Sequence, residues 1–286
     1  MKEHSGDSEL TEAELGRIAA RLAGIGGIVG VCLGGSRARG AHVDGSDYDL
    51  GLYYRAGELD TAALRALAAE LCGHPVEVTE PGGWGPWVDG GAWLDVGGAR
   101  VDWIYRDVDR VRQYAGEARA GRYLSGQQAG HPYGVPSYAY VGELALGPVL
   151  ADRDGTLTRL QAEVRPFPAE LAQRLEADAR WEAPFTLTVA RKGARRGDAG
   201  HVQGCLFRAV GLLVHALHAR AGQWLVNEKG AIASAGRLAC APPDFERRAQ
   251  ALFAPAGTDP AALGAVLDAA EELAAEVLAG AAVRHG

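Results

Sequence analysis

The chain is 286 residues long, enough for two domains of ordinary size and too short for a large array. Hydrophobic residues make up 48% and charged residues 23%, the balance of a folded globular protein rather than a disordered one. A formal net charge of −7 disfavours a surface that coats nucleic acid through phosphate contacts, and leaves a cationic or neutral small substrate open.

The polar N-terminus, MKEHSGDSEL, lacks the apolar stretch of a signal peptide. Thr11 with Glu14 spells a capping box ahead of Leu15, Ile18 and Leu22, which predicts a short amphipathic helix. Ile28 to Leu33 is apolar, rich in β-branched residues and short, the pattern of a buried strand. Gly34-Gly35-Ser36 breaks it. A second strand is expected over Asp47 to Tyr54, with Leu50 and Leu52 facing away from Asp47 and Asp49. Asp60 is placed to cap a helix through Leu64, Leu67 and Leu71. After a glycine- and tryptophan-rich stretch from Pro81 to Gly91, two more strands are expected, around Trp93 to Val96 and Arg100 to Tyr105. Gly97-Gly98 would join them as a hairpin.

From about Ser137 onward the strand signals vanish. Val202, Leu206, Val210, Leu213 and Leu217 recur at helical spacing in a segment beginning near Asp198. A last helix is expected behind Asp259 and Pro260. The expectation is an α+β fold: a catalytic domain over residues 1–125 with a mixed sheet, then a helical bundle over 126–286. No run of about 20 uncharged apolar residues is present, and Cys32, Cys72, Cys205 and Cys240 have neither zinc-ligand nor redox spacing. A soluble, cytoplasmic protein without membrane partners is expected.

The chemistry concentrates in three acids and one turn. Residues two apart on a strand point the same way, so Asp47 and Asp49 should present neighbouring carboxylates. Like charges that close are costly unless a cation neutralises them, and hard oxygen ligands suit Mg2+, or Mn2+ in its place. Asp102, on the expected neighbouring strand and opposite Val101, Trp103 and Tyr105, would complete a two-ion site. The glycine turn has its own use. Gly35 lets backbone N–H groups approach phosphate oxygens, and the Ser36 hydroxyl adds a donor. Neither a P-loop nor a dinucleotide-binding glycine pattern is present.

Gly35-Ser36, Arg39-Gly40 and Ser46-Asp47-Tyr48-Asp49-Leu50-Gly51, with the distal Asp102, resemble the nucleotidyltransferase superfamily that includes DNA polymerase beta. The pattern looks most like bacterial small-substrate nucleotidyltransferases of the aminoglycoside-modifying type, over Val29 to Tyr105. A looser similarity to that class extends to Trp181-Glu182-Ala183-Pro184-Phe185 and Asn227-Glu228-Lys229-Gly230. The resemblance implies that Asp47 and Asp49 bind two metal ions and that Asp102 binds the one activating the acceptor. It also implies that Gly35, Ser36, Arg39 and Ser46 serve the nucleotide, ATP being the expected triphosphate.

Other residues keep two readings. Lys229 either reaches a β- or γ-phosphate or is a surface lysine at a helix start. Arg37 is a phosphate ligand or a solvated side chain. Arg191, Lys192, Arg195 and Arg196 form a solvated helix face or a phosphate contact. Glu182 is a general base assisting Asp102 or a structural helix residue. His201, His215 and His218 read as packed or exposed histidines rather than ligands. Trp84, Trp87 and Trp93 line an acceptor pocket or pack in the core or a lid, whereas Trp103 should be core.

Three functions compete on this reading. One is transfer of a nucleoside monophosphate, AMP by expectation, to a hydroxyl of a small molecule such as an antibiotic, with release of pyrophosphate. The others are AMP transfer to a protein partner, in the manner of nucleotidyltransferase antitoxins, and a non-catalytic nucleotide-binding module.

Overall fold

The computed structural model describes residues 9–38, 40, 45–254 and 257–280. The chain opens with helix α1 (Glu12–Ala23), strand β1 (Ile28–Leu33), a short helical turn α2 (Gly35–Ala38) and strand β2 (Tyr48–Tyr54). Helix α3 (Thr61–Cys72) leads to the hairpin β3 (Gly91–Val96) and β4 (Ala99–Asp107), and α4 (Val108–Arg119) follows. Next come β5 (Ser125–Gln128), β6 (His131–Pro136), α5 (Tyr138–Leu146), β7 (Val149–Asp152) and α6 (Thr156–Val164). The remainder is helical: α7 (Ala169–Ala194), α8 (Ala199–Arg220), α9 (Ala231–Gly236), α10 (Phe245–Ala251) and α11 (Pro260–Ala279). The fold is α+β with a mixed sheet.

Local signals act where the sequence puts them. Thr11 and Glu14 form the reciprocal capping box of α1, so Leu15, Ile18 and Leu22 are buried on one stripe. Asp60 accepts from the Ala63 N–H and starts α3, and Gly73, at φ 72°, ends it in the left-handed conformation that glycine adopts without strain. Asp198 and Asp259 cap α8 and α11 in the same way, through the N–H groups of His201 and Ala262.

The main sheet has the order β3-β4-β2-β1-β7. β2 and β4 run parallel, and the other pairings are antiparallel. Val31, Leu50, Leu52, Val101, Trp103 and Tyr105 fill one face and are fully buried with the apolar stripes of α1 and α3. The opposite face is divided. Towards the ends of β2 and β4 it is closed by α5, where Glu143 takes both Nε and Nη2 of the buried Arg106, whose guanidinium also lies 4.8 Å above the Tyr140 ring. Towards their beginnings the same face stays open, and it carries the acids.

The chain divides into two compact units. The first holds the described residues up to Gly116 together with Leu124–Gln128 and Pro136–Pro166. The second holds Glu117–Tyr123, Ala129–Val135 and the chain from Phe167 onward. This differs from a single break after residue 125, because β7 pairs with β1 and brings α5 and α6 back to the sheet. β7 escapes the sequence pattern because it is four residues long and half-buried throughout, too short to show an alternation. In the second unit α7, α8 and α11 enclose Leu187, Leu206, Leu213, Leu217, Leu267 and Leu273. Among the described residues, α8 alone is long and apolar enough to cross a bilayer, and most of that stretch is buried inside the protein.

Candidate functional site

Strand pairing brings two of the three acids together. Asp49 on β2 and Asp102 on β4 are register partners, so their side chains leave the same face of the sheet side by side. The Gly-Gly turn is built around the first. The Gly34 N–H donates to the Asp49 carbonyl at 2.7 Å. Gly35 stands at φ 62°, and a Cβ there would come within 1.7 Å of Asp49 Oδ2. Only glycine satisfies both the backbone conformation and the close approach of the carboxylate. The turn therefore positions an acid as well as freeing backbone N–H groups for an anion. Ser36 follows within α2 and is half-buried.

Asp47 is placed differently. It immediately precedes β2, and its Oδ1 lies 2.6 Å from the Nε of Arg100 on β4. That oxygen is sealed from solvent, and the contact is an ion pair without hydrogen-bond geometry. Among the described residues, no three acid, histidine or cysteine side chains are gathered as a metal site. The expectation of three converging carboxylates thus meets two acids in register and a third drawn to an arginine. Arg100 escaped the sequence reading. Its signal was present: Arg100 and Asp102 have the same two-residue spacing as Asp47 and Asp49, on adjacent strands.

Arg37 is not a solvated side chain. Its guanidinium lies 3.8 Å over the Tyr48 ring, donates twice to the Ser46 carbonyl at 2.9 and 3.1 Å, and reaches Glu9. It clips the segment before β2 to α2, which positions Ser46 and Asp47. Arg39 lies outside the described residues.

On the other side of Asp102, its register partner on β3 is Trp93, 66% exposed and stacked on Trp84 with ring centroids 4.4 Å apart. Trp87 does not join them; its ring packs against Gly126, and its carbonyl accepts from the Tyr140 hydroxyl. Trp103 is core, as expected. A cleft of about 520 Å³ runs past Asp47, Arg100, Asp102, Asp95, Trp93, and His74. A second cleft, at the far end of β1 and β2, is lined by Arg55, Glu58, Arg153 and Asp154 and holds none of the expected site residues.

In the helical unit Glu182 is held bidentately by Arg208 at 2.6 and 2.9 Å, the structural reading of that residue. Arg191 binds Asp268 and Glu271, while Lys192, Arg195 and Arg196 are exposed. His215 is buried and stacked on Tyr133; burial pushes its pKa down to about 3. His218 is lowered for the same reason, with its ring between the Val214 carbonyl and the Ser234 hydroxyl. Lys229 is exposed in the turn before α9, and its N–H donates to the Asn227 side chain at 2.7 Å.

No protein-family model and no curated protein matches the chain. Among solved structures, the chain is similar to a nucleotidyltransferase-like protein from Exiguobacterium sibiricum, at 14% identity and a TM-score of 0.43. That match covers 87% of this chain and 69% of the other.

Proposed function

We propose that the protein is a nucleotidyltransferase that moves a nucleoside monophosphate from a triphosphate, ATP by preference, to a hydroxyl of a small-molecule acceptor. The observation that carries this reading is the pairing of Asp49 with Asp102 on an open sheet face, with Gly35 shaped to Asp49. Two adjacent carboxylates supply the hard oxygen donors that a divalent-ion site uses. Asp49 and Asp102 would hold Mg2+ or Mn2+, and Asp47 would join them on leaving Arg100. Such an ion, when bound, lowers the pKa of the acceptor hydroxyl and neutralises phosphate charge.

The residues then divide the work. The α2 turn, with Ser36 and the neighbouring Ser46, receives the triphosphate oxygens, and Arg39 is assigned to the same phosphates. Asp102 orients the acceptor hydroxyl. The acceptor oxygen bonds to the α-phosphorus as the bond to pyrophosphate breaks, and the hydroxyl proton leaves to solvent. The exposed Trp93, stacked on Trp84 beside Asp102, offers the acceptor a flat apolar wall. An arrangement of this kind works by positioning and charge neutralisation.

The test is pyrophosphate release from each of several triphosphates with Mg2+, against panels of small hydroxylated molecules and of proteins. Release that depends on a small molecule supports the reading. Release only with a protein acceptor transfers the chemistry to a protein substrate. Triphosphate binding without release across both panels favours a nucleotide-binding module.

A further inference from the structure

The open face of the sheet carries two rows of side chains. One row is Trp93, Asp102 and Asp49, register partners across β3, β4 and β2. The other begins with Asp95 paired to Arg100, and Arg100 reaches Asp47 one position before β2. An arginine therefore stands among four acids, two residues along β4 from Asp102. Asp95 does not compete for it, because its Oδ1 accepts the Gly98 N–H at 2.7 Å and closes the β3–β4 turn. The Arg100 guanidinium is divided between Asp47 and the Gly45 carbonyl.

Three features set this pair apart from an ordinary surface ion pair. Asp47 Oδ1 is sealed from solvent yet makes no hydrogen bond among the described residues, so the arginine neutralises the carboxylate without satisfying it. The Arg100 side chain is 60% exposed, so it swings away at little cost. Its remaining N–H groups form the fork that phosphate oxygens accept in pairs.

Building on the nucleotidyltransferase reading, we propose that Arg100 is a resident counter-cation of Asp47 that is exchanged during loading. While Arg100 neutralises Asp47, a divalent cation arriving alone meets a carboxylate already compensated and a positive charge beside it. A polyphosphate arriving with the cation offers Arg100 a better partner, and Asp47 is released to the ion. The site thus resists a lone divalent cation and takes cation and polyphosphate together.

The test is a binding experiment on the full chain. Free Mn2+ is followed by electron paramagnetic resonance, with and without a non-hydrolysable ATP analogue carrying an α,β-methylene bridge. Arg100→Ala should bind Mn2+ alone about tenfold more tightly than wild type, the repulsion of a neighbouring positive charge having been removed. It should also bind the analogue about tenfold more weakly in the presence of Mn2+. Arg100→Gln, which keeps the length and loses the charge, should repeat both shifts. In an Asp47→Asn background the Mn2+ gain on removing Arg100 should shrink markedly, because the two effects share one contact. Unchanged Mn2+ affinity in Arg100→Ala overturns the proposal, and so does a gain in Mn2+ affinity with no loss of analogue affinity. Failure of the underlying reading is seen separately, in wild type alone, as no analogue binding at saturating Mn2+.

Discussion

The open sheet face of the first unit and the helix faces of the second place their charged residues by different rules. In the helical unit Glu182, Arg191 and Arg220 have partners of opposite charge on other helices: Glu182 with Arg208, Arg191 with Asp268 and Glu271, Arg220 with Glu176. On the sheet, strand register sets Asp49 directly beside Asp102, two residues of like charge at one register position. Helix packing is free to match opposite charges, whereas a sheet places whatever lies at the paired positions.

The contrast breaks most sharply if an acid on the sheet proves dispensable. Asp102→Asn should lower the transfer rate about 100-fold or more while leaving Mg2+·triphosphate affinity near wild type, since lost metal activation is worth several kcal/mol of barrier. Pairing a turnover assay with a nucleotide titration checks this. Near-normal turnover would reduce the Asp49–Asp102 pair to a surface feature.

Gly35→Ala probes the same face through the backbone. The added Cβ meets the Asp49 carboxylate at a positive φ, so a loss of about 1–3 kcal/mol is expected in denaturant melts. Triphosphate affinity should fall as well, because Asp49 is displaced. A variant as stable as wild type and with full affinity would show that the turn does not shape the site.

The helical side is sharpened by pH. His215 has a folded pKa of about 3, below its unfolded value, so the unfolded state binds the extra proton between the two. Its contribution is complete above pH ~6.5 and is lost as pH falls, by up to about 2 kcal/mol between pH 6.5 and 5. His218 adds a loss in the same direction. Melts of wild type and His215→Gln across that range should show a shallower slope in the variant; equal slopes would remove His215 as the source.

The smallest effect is expected from Glu182→Gln. Its ion pair with Arg208 is partly exposed, so stability should fall by less than about 1 kcal/mol, with transfer changed less than about twofold. A large loss of turnover would restore Glu182 as a catalytic base and erase the contrast between the units.

Much was legible in the sequence because it depends on neighbours along the chain. The capping box at Thr11, the caps at Asp60, Asp198 and Asp259, the turn at Gly97-Gly98 and the same-side relation of residues two apart are local facts, settled by dihedral preference and period. They delivered β1 at its observed bounds, the buried faces of β2 and β4, and the acids that lie on the open side. Arg37 and Arg100 were beyond that reach. Whether an arginine is solvated, clipped to Ser46 or set against Asp47 depends on which strand lies alongside and in what register, and that is decided by packing between segments far apart in sequence. The same reason governs β7, four residues with no pattern of their own, which become a strand because β1 offers an unpaired edge. Sequence determined which side of each strand the acids occupy; only the tertiary structure decided that Asp49 stands beside Asp102 while Asp47 faces an arginine.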